Sequence, residues 1–129
     1  MHAAGTPPLL RFCGPVSGEE KEKQFREADV CVVPSFSENF GMVIAEALAT
    51  SVPVIASEGT PWSEIEKHGC GFWVESDPQS LVDAINRISG GPLASMGQKG
   101  REWMERDFTW PSIAQRMNEV YRGLALKCP

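Results

Sequence analysis

Apolar and polar positions fall in blocks along the chain, and the period changes from block to block. Val30-Cys31-Val32-Val33 is an unbroken apolar run of strand length, the pattern of a short parallel strand buried on both faces. Pro34 and Ser35 end it. From Met42 to Ala49 every residue but Glu46 is apolar, so this stretch reads as a helix that is buried rather than laid on the surface. Asn39 is placed to cap that helix, and Gly41 lets its first turn approach a ligand closely. Pro53 to Ala56 is the next strand, with proline at its start, where a missing N–H is tolerated. Thr60 and Pro61 open a helix that ends at His68-Gly69. Gly71 to Val74 is the last strand. Asp77-Pro78 starts a helix with Leu81, Val82, Ala84, Ile85 and Ile88 on its inner side, closed by Gly90-Gly91-Pro92. A helix from Leu93 to Arg106 follows. Thr109 then caps a final helix that carries Trp110, Ile113, Ala114, Met117, Val120, Tyr121 and Leu124 at helical spacing.

Upstream of this series, Met1 to Pro8 is punctuated by Gly and Pro and is expected to be loose. Leu9 to Cys13 is a short strand broken by Gly14-Pro15. Ser17 and Glu20 have capping-box spacing and open a helix to about Ala28, with Phe25 and Ala28 facing the core. Its Glu19, Lys21, Glu22, Lys23 and Arg26 form a solvated face. Strands alternating with helices imply an α/β fold: a Rossmann-like parallel sheet of about four strands flanked by helices. Ligands of such sheets bind beyond the carboxyl ends of the strands. Here that rim consists of Gly14 to Gly18, Pro34 to Gly41 and Ser57 to Pro61.

One feature of the rim departs from the apolar pattern. A buried, unpaired Glu46 costs several kcal/mol, so it needs donors, either protein groups or the hydroxyls of a bound ligand. Glu38 lies seven intervening residues earlier, at the mouth of the turn. Between the two carboxylates lie the free N–H groups of a helix N-terminus, a ready site for phosphate. The stretch suits a phosphorylated, hydroxyl-rich molecule.

Composition narrows the classes. The chain has 129 residues and 42% hydrophobic content, which fits one globular domain. A net charge of −5 and a pI near 5.0 argue against a nucleic-acid footprint. No run approaches the ~20 apolar residues of a membrane span, and Met1 to Pro8 has no signal-segment pattern. Cys13, Cys31, Cys70 and Cys128 lack metal-site spacing. Cys13 and Cys31 fall in the expected strands, so they read as reduced structural thiols of a cytoplasmic protein. No Asp-x-Asp is present, so nothing supports a metal-held diphosphate. His68 precedes a helix-ending glycine and reads as a dipole partner. Trp103 and Trp110 read as core or interface residues.

The central stretch, Pro34-Ser35-x-x-Glu38-x-Phe40-Gly41-x-x-x-x-Glu46-Ala47, resembles the Glu-x7-Glu signature of the group 1 glycosyltransferases, a retaining family of GT-B fold. The similarity continues in Pro53 to Ser57, Gly59 to Ile65, Gly71 to Val74, Asp77-Pro78 and Trp110-x-x-Ile113-Ala114, so it runs from about Leu10 to Leu124. The order of these blocks, more than the bare Glu-x7-Glu, makes the match specific. The resemblance implies the carboxyl-terminal, donor-holding domain of such an enzyme, over residues 9–129. The donor is a nucleotide-diphosphate sugar; no further cofactor and no metal are implied, and the sugar passes to a hydroxyl acceptor.

By the same resemblance, Glu46 holds the ribose hydroxyls; a carboxylate suits a vicinal pair because both oxygens accept. Glu38 contacts the donor sugar and is the expected catalytic residue. The N–H groups of Asn39, Phe40, Gly41, Met42 and Val43 face the sugar and diphosphate. Gly14-Pro15-Val16 lies beside the nucleobase, and Thr60 shapes the pocket. Each has a plainer reading: Glu46 as a structural carboxylate, Glu38 as a loop acid, Phe40 as packing, Gly14-Pro15 as a strand end, Thr60 as a helix cap.

The chain departs from the family in two ways. The resemblance implies an Arg and a Lys in an upstream Gly-Arg…Lys-Gly segment, which this sequence does not show, and an amino-terminal acceptor domain, which is expected to be absent. The isolated chain is therefore expected to transfer little sugar. Alternative readings are a non-catalytic module that binds donor or a partner chain, and a relic without ligand. In the 3-2-1-4-5-6 strand order, the Leu9 strand is expected third and the Val30 strand fourth, with the two between them expected to be missing. Either the Leu9 strand slides in beside Val30, or strand edges pair between two chains. The final helix, lacking its neighbour, is expected to expose its stripe or to use it in a chain–chain contact.

Overall fold

The computed structural model describes residues 9–127, so the expectation of a loose segment over 1–8 and the thiol of Cys128 lie outside the described residues. The element order is α1 (Gly18–Glu27), β1 (Cys31–Val33), α2 (Met42–Ala49), β2 (Val54–Ser57), a 3-10 turn (Ser63–Ile65), β3 (Gly71–Val74), α3 (Pro78–Ser89), α4 (Leu93–Asp107) and α5 (Trp110–Ala125). The three strands form one parallel sheet in the order β1-β2-β3, with Val33 opposite Ala56 and Ala56 opposite Trp73. The α/β parallel architecture is as the alternating pattern implies.

Strand β2 is central and wholly buried, and successive residues point to opposite faces. Val54 and Ala56 meet a layer built from Ile44, Ala47 and Leu48 of α2 with Trp103 and Met104 of α4. Ile55 meets Ala84 and Ile88 of α3 on the other face. Gly71 adopts φ 156°, and a Cβ there would run into the Val54 backbone, so only glycine lets β3 lie this close at its first register position. Gly97 and Gly100 bring α4 onto the end of α2, against Ser51 and Leu48. Asp77 accepts a hydrogen bond from the Ser80 N–H at 3.0 Å and caps α3 as its sequence indicates. Thr109 does the same for α5, through the Ser112 N–H.

Several expectations are corrected. Leu9 to Cys13 forms no strand; Leu9 is 98% exposed and Cys13 is exposed, so the sheet has three strands and β1 is an edge. A run of apolar residues becomes a strand only where an edge accepts its hydrogen bonds, and among the described residues no segment other than β2 is laddered to β1. The repair by sliding Leu9 beside Val30 is thus ruled out. Val32 is exposed on that edge and Cys31 only half-buried. Ser17 is the N-cap of α1, but its side chain makes no capping bond, and Glu20 instead accepts from Gln24. Ala28 is exposed, and Val82 and Ile85 face outward from α3.

The helix expected after Thr60 is replaced by a short 3-10 turn, because Trp62 folds its ring inward rather than continuing a helical face. Helix α2 is not buried all round: Met42, Val43 and Ala49 are exposed. Helix α5 contains no buried residue. Trp110, Val120, Tyr121 and Leu124 all lie open, so the stripe is exposed within a single copy as expected.

Candidate functional site

The loops after β1 and β2 are tied to each other at the carboxyl end of the sheet. The Ser57 hydroxyl is fully buried and donates to the Ser35 carbonyl, with the Val33 carbonyl 3.4 Å away. The Glu38 N–H donates to the Gly59 carbonyl at 2.9 Å. Gly59 has to be glycine: a Cβ there would land on the backbone carbonyls of Ser35 and Phe36. The Thr60 hydroxyl donates to the Ser57 carbonyl at 2.8 Å, and the Trp73 indole N–H donates to the Thr60 carbonyl at 3.1 Å. Thr60 is therefore a buried brace of the second loop and caps no helix.

Upon this base the Pro34–Gly41 loop turns into α2. The helix N-cap is Gly41, not Asn39, because Gly41 takes a left-handed φ of 78° that breaks the path from Asn39 into the helix. Glu38 and Asn39 are exposed at the mouth of the turn, and the Ser35 hydroxyl donates to Glu38 Oε1 at 3.0 Å. Among the described residues no acceptor meets the N–H groups of Asn39, Phe40, Gly41, Met42 or Val43. Five successive donors and the positive end of a helix are thus gathered in one turn.

Glu46 lies one turn inside α2. Its side chain is 36% exposed rather than buried, and its Oε2 accepts from Lys21 Nζ at 2.6 Å. Lys21 therefore reaches the candidate site from α1, a role that its place in a charged, solvated run did not reveal. With both groups more than a third exposed, solvent screens the pair to about 0–1 kcal/mol. On its other side Glu46 borders a groove of about 350 Å³ between α2 and α4, lined also by Ala45, Ala49, Met104 and Phe108.

Behind the turn stands an aromatic cluster. Trp62, only 3% exposed, packs its ring 5.2 Å from Phe40, 5.6 Å from Trp103 and 5.4 Å from Phe108. His68 stacks on Trp103 at 4.0 Å and lies 3.7 Å from Glu64, so it serves the cluster rather than a helix end. The sequence places Ser57 and Gly59 in the rim and Trp62 in a matched block but assigns none of the three a role. Their only sequence signal is the Gly-Thr-Pro-Trp block after a strand. The structure brings Glu38, Asn39, Phe40, Gly41, Met42, Val43, Glu46 and Thr60 to one rim. Gly14, Pro15 and Val16 are exposed, and no hydrogen bond among the described residues joins them to it.

The family model for glycosyl transferases group 1 matches residues 1–103. The chain belongs to this family. Among curated glycosyltransferases, a D-inositol 3-phosphate glycosyltransferase of Nocardioides sp. is 35% identical over 123 residues, which are 93% of this chain and 27% of that protein. An uncharacterised glycosyltransferase of Methanocaldococcus jannaschii is 32% identical over 115 residues, 86% of this chain and 30% of its own length. Among solved structures, the sucrose-phosphate synthase of Thermosynechococcus elongatus matches with a TM-score of 0.67 and 37% identity, over 81% of this chain and 27% of that one. The chain thus spans under a third of each glycosyltransferase it matches here. None of its described helices is long and apolar enough to cross a membrane.

Proposed function

We propose that this chain holds the donor, a nucleotide-diphosphate sugar, for a retaining glycosyl transfer whose acceptor, a hydroxyl, is presented by a further domain or a partner chain. The observation that carries the reading is the turn itself: five N–H groups from Asn39 to Val43 without acceptors among the described residues, flanked by Glu38 at its mouth and Glu46 on the helix. The N–H groups and the helix dipole stabilise the diphosphate as it departs with the bonding electron pair. Glu38, exposed and oriented by Ser35, takes hydroxyls of the donor sugar. Glu46 takes the two ribose hydroxyls. Its half-exposed ion pair with Lys21 is weak enough to be exchanged for them, and Lys21, once freed, is a cation beside the donor.

The diphosphate is held by backbone dipole and cations, with no metal assigned. Titration calorimetry with a panel of nucleotide-sugars tests the reading. One donor is expected to bind, and Glu46→Gln weakens it by about 1–3 kcal/mol, the scale of a lost charged hydrogen bond. Equal affinity in that variant contradicts the ribose assignment.

A further inference from the structure

We propose that Trp62 is a positioning residue that aims the Gly41 N–H at the donor diphosphate. The inference rests on the donor reading above and adds to it the side chain that sets the geometry of the turn. The Trp62 indole N–H donates to the Phe40 carbonyl. Indole has one donor and no acceptor, and in a side chain only 3% exposed that donor must be satisfied. The Phe40 carbonyl is therefore held toward the aromatic cluster. The Phe40–Gly41 peptide is trans, as are all described peptide bonds, so its N–H points the opposite way from its C=O. Fixing the carbonyl inward turns the Gly41 N–H outward, to the side where no described acceptor meets it.

This bond is the restraint that keeps the peptide from rotating. Gly41 has no Cβ to oppose a flip, and its φ of 78° lies in a region glycine enters freely. The ring of Trp62 is itself held by the stacked Phe108 and by Phe40, with its own carbonyl accepting from Ile65 N–H at 3.1 Å. A Cβ placed on Gly41 would touch Trp62 Nε1 at 3.5 Å and Ile44 Cδ1 at 3.2 Å, so turn, tryptophan and helix are in direct contact. The helix start is thus held from behind by an indole that never touches the ligand.

The test compares three forms of the chain, each titrated with inorganic pyrophosphate while the Gly41 amide is followed by NMR. In the first variant benzothienylalanine replaces Trp62, exchanging N–H for sulfur at nearly constant shape. In the second, Trp103→Phe trims the same cluster at a residue that donates no hydrogen bond among the described residues. The wild-type chain is expected to bind with a shifted Gly41 amide. The Trp62 isostere binds about tenfold more weakly, as one lost orienting hydrogen bond implies. Trp103→Phe keeps wild-type affinity although it loses stability. Wild-type affinity in the Trp62 isostere, or equal losses in both variants, overturns the positioning role while leaving the donor site standing. A wild-type chain that does not bind pyrophosphate brings down the diphosphate site itself, and this inference with it.

Discussion

Gly59→Ala probes the junction on which the rim is built. The added Cβ would fall inside van der Waals contact of the Ser35 and Phe36 carbonyl oxygens. Both are backbone atoms, so no side-chain rotation relieves the clash, and the Pro34–Gly41 loop must move bodily. Overpacking of this kind costs about 1–3 kcal/mol. The movement also strains the 2.9 Å bond from the Glu38 N–H to the Gly59 carbonyl, worth about 1 kcal/mol. The expected loss is therefore about 2–4 kcal/mol, read from urea unfolding at neutral pH. Gly90→Ala is the matched control, because a Cβ there meets nothing within 4 Å. It is expected to change stability by less than about 0.5 kcal/mol or to raise it slightly. A Gly59→Ala chain within about 0.5 kcal/mol of wild type refutes the account of how the two loops are joined.

Other outcomes follow from the same structure. Hydrogen bonds from Ser80, its side chain first and its N–H second, lower the Asp77 pKa below its ordinary 3.8. The folded pKa lies below the unfolded one, so the stabilisation is complete above the ordinary value and is lost as pH falls through the folded one. Asp77→Ala should unfold more easily than wild type at pH 7, with the gap closing in strong acid; a gap independent of pH contradicts this. Burial pushes the thiols of Cys31 and Cys70 up to about 11, whereas Cys13 is exposed. Iodoacetamide at pH 8 should alkylate Cys13 first, as mass spectrometry of the timed reaction would report, and equal rates for all three would count against that burial. On α5, Val120→Glu and Tyr121→Glu, at positions 55% and 61% exposed, should shift the unfolding midpoint little, by less than about 0.5 kcal/mol. A large loss would mean that the stripe is covered.

The sequence made the fold legible where one local pattern sufficed. The buried run at Val54 to Ser57 and the Asp77 and Thr109 caps carry their own signals within a few residues. Leu9 to Cys13 is apolar but for Arg11 and so resembles a strand, but a strand also needs a free edge in reach, and that is a property of the fold as a whole. Met42 to Ala49 is apolar enough to be buried all round, yet only one side of it faces the sheet and α4. Its exposed residues include Met42 and Val43 of the first turn, at the rim.

The candidate site divides in the same way. Glu38, Gly41 and Glu46 stand in one short segment, so their placement at one turn is legible in order. The ties that shape the segment come from Ser57, Gly59 and Trp62, about twenty residues away. Lys21 reaches Glu46 from a helix whose charges gave no sign of a partner. Asn39 looked like a cap because its side chain suits that place; the left-handed Gly41 overrides it.

The most direct test of the central claim is to titrate the isotope-labelled chain with UDP, GDP and ADP and follow its backbone amides by NMR. One nucleotide is expected to shift the amides of Asn39 to Val43 together with that of Glu46, and to release the Lys21 ammonium from its pair. Saturation at millimolar nucleotide with those signals unmoved, or shifts confined to another face of the sheet, contradicts it.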